Sequence, residues 1–405
     1  MLSNHQIKVA LVYDKVSLKH GGAERVIQAL SELYPQARLF TAVADQQTAE
    51  WSRSITINPS FLQKFSWLPN SYRLLVPLFP LGFESFSLDA FELVISITSG
   101  EAKGILTKPG QLHVCYLLTP PRYLYSHVQQ HLQYGLAKLP VIHQIIRVII
   151  RYLRWWDNAA AHRPDYVIPI SEMISQRCKQ YYNRVTEPVI YPPTTTLPAT
   201  MQALPMSGFF LSVSRLVPYK RVDLSIKACL QTGDKLIVTS EGIEKDSLTQ
   251  LAVGQSCTKR PSETLVTFLK RAQAIGARIL FTSQVTDGEL SALYSHCGGL
   301  LMPGIEDFGI AAMEAASFGK ASLLHTQTGA AELLTDPQHS VHLTSLTLDA
   351  MIKSVQRFKT ISFNQRKLEK VAKENNMQAF KSEFSTTIAA LWERSQKERE
   401  FHVVS

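Results

Sequence analysis

The segment Glu306-Asp-Phe-Gly-Ile-Ala-Ala-Met-Glu314 places two glutamates, with seven residues between them, at the opening of a small, apolar helix. The apolar strand Gly299–Met302 runs into this segment, and Pro303-Gly304 marks the turn between strand and helix. A helix that begins at the carboxyl end of a strand offers free N–H groups and the positive end of its dipole to an anion. With the helix predicted over Phe308–Phe318, the segment indicates an α/β domain that binds an anionic ligand.

The two glutamates suit separate contacts on one ligand. Glu306 would lie beside a phosphate, and Glu314, inside the helix, can accept hydrogen bonds from a ribose diol, which indicates a nucleotide-sugar site. On one helix they would lie roughly 12 Å apart at about 1.5 Å per residue. Glycoside hydrolases hold their two carboxyls about 5 to 9.5 Å apart, so a hydrolase pair is disfavoured. A capped helix with one solvated acid is the alternative for this segment alone.

Length, charge and cysteine usage limit the class of protein. The 405 residues suffice for two domains, and the net charge of +9 suits an anionic partner such as nucleic acid, a sugar phosphate or an acidic lipid surface. Five scattered cysteines without a Cys-x-x-Cys spacing argue against disulfides or zinc and favour a reducing cytoplasm. Residues 1–14 do not resemble a signal peptide, and no uncharged apolar run reaches about 18 residues. The expectation is a cytoplasmic protein, soluble or peripheral on a membrane.

Strand and helix patterns alternate twice along the chain. In the first half, strands are predicted at Ile7–Tyr13, Arg38–Val43, Leu93–Thr98, His113–Leu118 and Tyr166–Pro169, with a helix at Ala23–Leu33. The Pro- and Thr-rich stretch Tyr191–Gly208 predicts a linker. In the second half, strands are predicted at Phe209–Ser214, Lys235–Thr239, Arg278–Thr282, Gly299–Met302 and Ala321–His325, with helices at Val222–Leu230, Gly288–His296 and Phe308–Phe318. The pattern predicts two α/β domains with largely parallel sheets.

Two loops follow strands and carry groups that suit phosphates. Arg215 and Lys220 lie between a predicted strand and a predicted helix and can converge on a diphosphate. A basic, solvated loop is the alternative. Gly21-Gly22 precedes the first helix and would let the backbone approach a phosphate or sugar closely, although the full G-x-G-x-x-G pattern is missing and a plain tight turn is the alternative.

A basic amphipathic helix is predicted between residues 139 and 156. Its charged stripe consists of His143, Arg147, Arg151 and Arg154, beside many isoleucines and two tryptophans. Such a helix is typical of membrane-surface binding, and a second aromatic stretch, Phe61–Phe86, is expected beside it. An ordinary domain helix that packs its apolar face inward is the alternative.

Taken together, the motifs resemble the retaining glycosyltransferases of the GT-B fold with the Glu-x(7)-Glu signature, the family 4 type. Within them the chain is most similar to bacterial GDP-mannose-dependent mannosyltransferases of O-antigen and exopolysaccharide assembly. The resemblance rests on GGAERV at Gly21–Val26, PLGFESFSLDAFELVIS at Pro80–Ser96, AKG at Ala102–Gly104, TPPRYLY at Thr119–Tyr125, VIYPP at Val189–Pro193, SRLVPYKRVDL at Ser214–Leu224 and EDFGIAAMEA at Glu306–Ala315.

The resemblance implies an α/β, GT-B fold with two Rossmann-like domains facing each other across a cleft. Residues 1–195 would form the acceptor-side domain and residues 196–385 the nucleotide-sugar-binding domain, while residues 386–405 would form a helix that packs back on the first domain. The implied activity is transfer of a hexose, mannose by preference, from a nucleotide sugar to a lipid-linked or saccharide acceptor. The implied location is the cytoplasm, with a peripheral site on the inner face of an anionic membrane.

Residue roles follow from the same resemblance. Arg215 and Lys220 would hold the donor diphosphate, Glu306 would contact the donor sugar hydroxyls, and Glu314 would bind the ribose. The remaining donor contacts would come from Gly22, near the phosphates and sugar, and from the backbone of Phe308, Gly309 and Ile310. No metal or cofactor is expected, because the Arg/Lys pair would neutralise the leaving diphosphate.

The chain departs from the family pattern on the acceptor side. Leu118 stands where the family usually has a histidine, and Ser99 replaces another frequent histidine. Leucine cannot donate a hydrogen bond, so a noncatalytic relative that acts as a sugar-nucleotide-binding partner subunit is the main alternative. Residues 257–273 look like an insertion with no assigned role. A nucleic-acid-binding function rests on charge alone, and no groove-reading or base-stacking module is recognisable.

Overall fold

The computed structural model describes residues 7–16, 21–65, 75–126, 128, 140–194, 197–198 and 202–404. The chain divides into two compact units. The N-terminal unit comprises residues 1–193 together with 378–405, and the C-terminal unit comprises residues 194–377. Each unit contains one parallel β-sheet, so the predicted pair of α/β domains with parallel sheets is confirmed. Five positions of the predicted linker, 195, 196 and 199–201, lie outside the described residues.

The sheet of the N-terminal unit has six strands in the order β3-β2-β1-β4-β5-β6. They are β1 (Val9–Tyr13), β2 (Arg38–Thr41), β3 (Ile57–Pro59), β4 (Leu93–Thr98), β5 (Leu112–Leu117) and β6 (Tyr166–Pro169). The strands β1, β4 and β5 are buried along their whole length, which explains their near-continuous apolar sequences. Since β1 pairs with both β2 and β4, the strand order reverses between β1 and β4.

The described part of this unit contains five helices. They are α1 (Gly22–Leu33), α2 (Phe79–Glu84), α3 (Pro140–Ala160), α4 (Glu172–Tyr182) and, from the far end of the chain, α12 (Met377–Val404). Short 3-10 turns occur at Glu50–Ser52, Phe61–Phe65, Val76–Leu78 and Ala102–Gly104. None of the helices described in either unit combines the length and apolar character needed to cross a bilayer.

The C-terminal helix α12 packs on the N-terminal unit through aromatic residues. The rings of Phe380 and Phe384 lie edge-on to the ring of buried Tyr116, with centroids 5.9 and 5.7 Å apart. Further along, the guanidinium of Arg394 lies over the ring of Tyr166. The helix begins at Met377 instead of residue 386, because its apolar positions Phe380 and Phe384 are already part of the buried face.

The sheet of the C-terminal unit has seven strands in the order β13-β12-β11-β7-β8-β10-β9. They are β7 (Phe210–Val213), β8 (Leu236–Thr239), β9 (Ser256–Thr258), β10 (Ile279–Ser283), β11 (Gly299–Met302), β12 (Ser322–His325) and β13 (Ser340–Leu343). The helices are α5 (Val222–Thr232), α6 (Lys245–Leu251), α7 (Leu265–Ala274), α8 (Asp287–His296), α9 (Ile310–Ser317), α10 (Leu348–Thr360) and α11 (Gln365–Glu374), with 3-10 turns at Pro218–Lys220 and Gly329–Glu332.

The structure corrects the predicted helix of the signature segment. This helix, α9, begins at Ile310 instead of Phe308, so Glu306 and Phe308 lie in the loop before it. Gly309 causes the later start, because its φ of 94° is a left-handed conformation that a helix cannot contain. The apparent insertion at residues 257–273 supplies the edge strand β9 and most of the helix α7.

Candidate functional site

The signature loops meet at the topological switch point of the C-terminal sheet. The chain leaves β7 towards β8 on one side and returns through β11 and β12 on the other, so β7 and β11 are adjacent strands with outgoing loops at the same edge. In open α/β sheets, ligands bind at the carboxyl ends of the strands at this point. The loop after β7 carries Arg215 and Lys220, and the loop after β11 carries Glu306.

An ion pair joins the two loops. The Nζ atom of Lys220 lies 2.5 Å from Oε2 of Glu306, and both side chains are 12% exposed. An ammonium group has three donors, so pairing with Glu306 leaves donors for an anionic ligand. The two residues predicted to contact opposite ends of a sugar diphosphate are therefore neighbours in the C-terminal unit.

Close backbone packing holds these loops together. A Cβ atom at Gly304 would lie 2.5 Å from the carbonyl oxygen of Tyr219 and 2.7 Å from Cα of Lys220, so only glycine fits here. Buried Thr328 fixes the loop after β11, because its Oγ1 accepts a hydrogen bond of 3.3 Å from the N–H of Glu306 and donates one of 3.3 Å to the carbonyl of Gly304. Gly304 was noted in the sequence only as a turn, and nothing in its local pattern identifies this contact.

The second glutamate of the signature is held inside the fold. Glu314 lies on α9, is 4% exposed, and accepts a hydrogen bond of 3.0 Å from the hydroxyl of Tyr294 on α8. At the start of α9, a Cβ atom on Gly309 would lie 2.7 Å from Cε of Met302 and 2.9 Å from Cγ2 of Thr328. The helix N-terminus thus follows the Glu306 loop directly, with Glu314 one turn inside it.

The hydrogen bond of Arg215 goes to Tyr219 and not to the Lys220–Glu306 ion pair. Its side chain is exposed, and its Nη2 donates a hydrogen bond of 3.3 Å to the hydroxyl of Tyr219. Arg221, next to Lys220, has a left-handed φ of 53° and its Nε lies 3.0 Å from Oδ1 of Asp223, which fixes the turn into α5. The basic loop therefore contains Arg221, which is paired with Asp223, and the exposed Arg215, which is bonded to Tyr219.

In the N-terminal unit, the predicted glycine pair lies at the start of α1. Gly21 is the N-cap residue and Gly22 the first helical residue, at the carboxyl side of β1. The hydroxyl of Tyr13 donates a hydrogen bond of 2.8 Å to Oε1 of buried Glu24, and a Cβ atom on Gly21 would lie 2.5 Å from Oε2 of the same glutamate. The glycine there permits the close approach of Glu24.

A further cluster of charged residues, missed in the sequence, lies at the switch point of the N-terminal sheet. Asp14, directly after β1, accepts hydrogen bonds from the last residue of β4 and from the loop that follows it. These come from the hydroxyl of Thr98 at 2.7 Å, the N–H of Ser99 at 2.7 Å and the N–H of Ala102 at 3.0 Å. The carboxylate of Asp14 therefore shapes the loop that contains Ser99.

The same loop contributes a buried lysine. The Nζ of Lys103 donates hydrogen bonds to Oδ1 of Asp157 on α3 and, at 2.6 Å, to the carbonyl of Gly100. The hydroxyls of Tyr125 and Tyr182 donate to Oδ2 of Asp157 at 3.0 and 2.8 Å. Every oxygen of Asp157 therefore has a donor, as a buried carboxylate requires. The signal available in the sequence was the Ala102–Gly104 motif, which was quoted without a role.

Glu101 should make the stability of the N-terminal unit depend on pH. Burial, with a smaller contribution from Asp14, raises the pKa of its carboxyl to about 7 from 4.5, against the hydrogen bond from Tyr123. Between these values the folded state binds a proton that the unfolded state releases, so stability falls as pH rises from about 4.5 to about 7. The loss is on the order of 3 kcal/mol at about 1.4 kcal/mol per pKa unit.

Glu101→Gln should therefore flatten this dependence in urea denaturation between pH 5 and 8. All five tryptophans belong to the N-terminal unit, so fluorescence reports its unfolding. The control is Glu50→Gln, which alters an exposed carboxylate of the same unit and should leave the pH dependence as it is in the wild type. An unchanged slope in Glu101→Gln would contradict the prediction.

Leu118 lies at the carboxyl end of β5. It is 9% exposed, and its N–H donates a hydrogen bond of 2.8 Å to the carbonyl of Thr98 at the end of β4. His113 lies near the other end of β5, where its Nε2 is 2.9 Å from the hydroxyl of Ser96. Burial, aided by Arg184 and Arg163, lowers the pKa of His113 to about 3, so this histidine is neutral. It is a core residue at the opposite end of β5 from Leu118.

A family model matches nearly all of the C-terminal unit. Residues 202–376 match the model described as Glycosyl transferases group 1, and this range contains the loops after β7 and β11. Curated protein sequences give no significant match to the chain.

Solved structures resemble the chain over nearly its whole length. The lipopolysaccharide outer core galactosyltransferase WaaB in its apo form is 16% identical, with 95% of this chain and 99% of that chain covered and a TM-score of 0.60. HepE from Anabaena, in complex with UDP and glucose, is 15% identical, with 95% and 100% covered and a TM-score of 0.64. Sucrose-phosphate synthase from Thermosynechococcus elongatus is 15% identical, with 96% and 100% covered and a TM-score of 0.67.

At this level of identity the structures show the fold alone, and the family model covers less than half of the chain. The fold is two Rossmann-like units with parallel sheets. Residues 202–376 match the glycosyl transferases group 1 family model, within a chain that has the GT-B fold.

Proposed function

We propose that this chain is a retaining glycosyltransferase that moves a hexose from a nucleoside diphosphate sugar to a lipid-linked or saccharide acceptor. The observation that carries the proposal is the ion pair between Lys220 and Glu306 at the switch point of the C-terminal sheet. There the ammonium of Lys220 would neutralise the leaving diphosphate together with Arg215, and Glu306 would bind the hydroxyls of the donor sugar. Glu314 would bind the ribose, beside the helix N-terminus that follows Gly309.

The proposed reaction needs no base from the protein. The bond between the anomeric carbon and the diphosphate oxygen breaks, and the acceptor oxygen forms its bond to that carbon on the same face. The acceptor proton passes to the oxygen of the leaving phosphate. The protein's main contribution is electrostatic stabilisation of the leaving group by Arg215 and Lys220, with the backbone of Phe308, Gly309 and Ile310 contributing to the donor site.

For the donor we propose mannose carried by GDP, on the basis of the sequence motifs alone. A glucose donor carried by UDP competes with this choice, because HepE was solved with UDP and with UDP-glucose. We further propose that the enzyme works at the inner face of a membrane, since a lipid-linked acceptor is held there.

Leu118 favours one second candidate, a noncatalytic partner subunit that binds a sugar nucleotide. Its apolar side chain lies at the end of β5, where the family has a histidine, and it offers no proton or hydrogen bond to an acceptor. A donor-consumption assay with saccharide acceptors separates the two candidates. Transfer by the wild-type chain supports the enzyme, whereas turnover that appears only in Leu118→His supports the subunit.

A further inference from the structure

The helix α3 carries large apolar side chains on a side that the core does not cover. Ile150, Leu153 and Trp156 face inward and are buried. On another side, five apolar residues are 43 to 73% exposed and follow each other at spacings of four, three, four and three: Val141, Ile145, Val148, Tyr152 and Trp155. This spacing aligns them in one stripe along the helix, which we call the α3 stripe.

Arginines flank the α3 stripe on one side. At about 100° per residue, Arg147 and Arg151 occupy the sector next to it, and both are exposed. Arg154 follows in the same row, and its Nε donates a hydrogen bond of 3.0 Å to the carbonyl of Leu124. The only acid in α3 is Asp157, which is 1% exposed and paired with Lys103. The surface of this helix is therefore apolar and cationic, without a counter-charge of its own.

The turn Val76–Leu78 and the helix α2 contact α3. Val76 packs against the buried cluster of Leu124, Ile150 and Leu153, and Nε1 of Trp156 donates a hydrogen bond of 2.7 Å to Oε1 of Glu84 at the end of α2. Four more apolar residues of this region are 41 to 51% exposed: Phe61, Phe65, Leu78 and Leu81. Thus nine of the fifteen large apolar residues exposed in the described residues belong to these two adjoining regions. Such a concentration is typical of an interaction surface.

We propose that the α3 stripe and its arginine row dock on an anionic lipid bilayer, with α3 lying in the plane of the interface. The apolar stripe would enter the headgroup and acyl boundary, and Arg147 and Arg151 would pair with lipid phosphates. Tyr152 and Trp155 suit that depth, because their rings have one apolar and one polar end. A second copy of the chain fits less well, since it would bring like-charged arginine rows to the same contact.

Co-sedimentation of the full chain with vesicles tests this docking. Binding to vesicles with about one third anionic lipid, which have a negative surface potential, should exceed binding to zwitterionic vesicles. Arg147→Gln/Arg151→Gln should lower the partition coefficient for anionic vesicles by about 30-fold, at about 1 kcal/mol per cation. Ile145→Ser/Val148→Ser/Trp155→Ser should lower it by about 100-fold or more, because three apolar contacts are lost.

Matched controls come from the C-terminal unit. Lys353→Gln/Arg357→Gln removes two exposed cations at the same helical spacing, and Ile243→Ser/Val253→Ser/Ile275→Ser removes three exposed apolar side chains. Both controls should bind vesicles as the wild type does. As a second readout, brominated lipids should quench tryptophan fluorescence less in Trp155→Phe than in the wild type.

Two outcomes would contradict docking on a membrane, and a third would assign the surface to a different partner. Equal vesicle binding by wild type and both α3 variants would overturn the proposal, as would equal binding to zwitterionic and anionic vesicles. A dimer that only the α3 variants abolish, without vesicle binding, would assign the surface to a second copy instead. The choice of a membrane partner rests on the proposed lipid-linked acceptor, but nucleotide-sugar binding is measured without vesicles. Failure of one measurement therefore leaves the other interpretable.

Discussion

Replacing Lys220 or Glu306 with alanine is expected to lower sugar transfer by at least about 100-fold, the scale of losing one preorganised contact to a developing charge. Each residue is held by the other, at 2.5 Å and with 12% exposure, so both variants lose the placement as well as one charge. Lys220→Ala removes a cation from the leaving diphosphate, and Glu306→Ala removes a contact to the donor sugar. Initial rates of product formation measure both effects.

The control for this prediction is an ion pair of the same unit away from the switch-point loops. Lys359 lies 2.9 Å from Asp234 at the surface, with side-chain exposures of 43% and 20%. Lys359→Ala should leave transfer unchanged, because Lys359 lies on α10, away from these loops. An exposed pair also contributes only about 0 to 1 kcal/mol to stability. The double variant Lys220→Ala/Glu306→Ala should lose less than the product of the single losses, since the residues act as a pair. Wild-type rates in both single variants would refute the assigned site.

The largest expected effect on stability comes from Lys103→Met. Lys103 and Asp157 are 2% and 1% exposed, and burial opposes the charge on the lysine while Asp157 keeps its pKa above the ordinary value. Without the lysine, Asp157 and Glu101 lose their buried cation. Removing one partner of a buried ion pair costs about 3 to 5 kcal/mol. Urea denaturation followed by tryptophan fluorescence measures the loss in the N-terminal unit.

Two variants make this stability prediction specific. Lys108→Met breaks an exposed pair with Asp89 and should cost at most about 1 kcal/mol. Lys103→Met/Asp157→Asn should recover part of the loss. The amide oxygen of asparagine can still accept hydrogen bonds from the hydroxyls of Tyr125 and Tyr182, and no unpaired charge remains. If Lys103→Met does not fold, recovery of folding in the double variant serves as the readout. A Lys103→Met protein as stable as Lys108→Met would contradict the account.

Most of the fold follows from the sequence because the central strands are buried on both faces. Their apolar runs are bounded by turn residues, and strands such as β4 and β11 have the predicted bounds. The strands β3, β9 and β13 were not predicted. They have three or four residues each, and β3 ends in a proline, so local pattern does not separate them from loops.

The sequence identifies candidate site residues, but it does not show which of them are in contact. Lys220 and Glu306 stand out as charged residues after strands, whereas their pairing depends on the adjacency of β7 and β11, which is a non-local property. Gly304 shows the same limit. A side chain is excluded at this position by the backbone of Tyr219 and Lys220, which lies across the switch point. The helix start at Ile310 depends on the backbone conformation of Gly309, which the apolar pattern does not encode.

The buried cluster of the N-terminal unit shows why polar residues are hardest to interpret from sequence. Asp14, Glu101 and Lys103 have the composition of an ordinary surface loop, and only the fold shows that Asp14 and Lys103 bind buried partners. For α3 the difficulty is reversed. Its sequence was compatible with a core helix or an interfacial helix, and the exposure of the α3 stripe distinguishes the two faces.

Calorimetric titration of the full chain with GDP-mannose, UDP-glucose, UDP-N-acetylglucosamine and UDP-galactose tests the central claim most directly. If the donor site lies at Lys220 and Glu306, one of these nucleotide sugars should bind. Lys220→Ala should weaken this binding, and Lys359→Ala should not. Loss of one charged hydrogen bond to a diphosphate corresponds to about 1.5 to 3 kcal/mol, or roughly 10- to 150-fold in Kd. If no nucleotide sugar binds, or if Lys220→Ala binds as tightly as the wild type, the donor site is not at the Lys220–Glu306 pair.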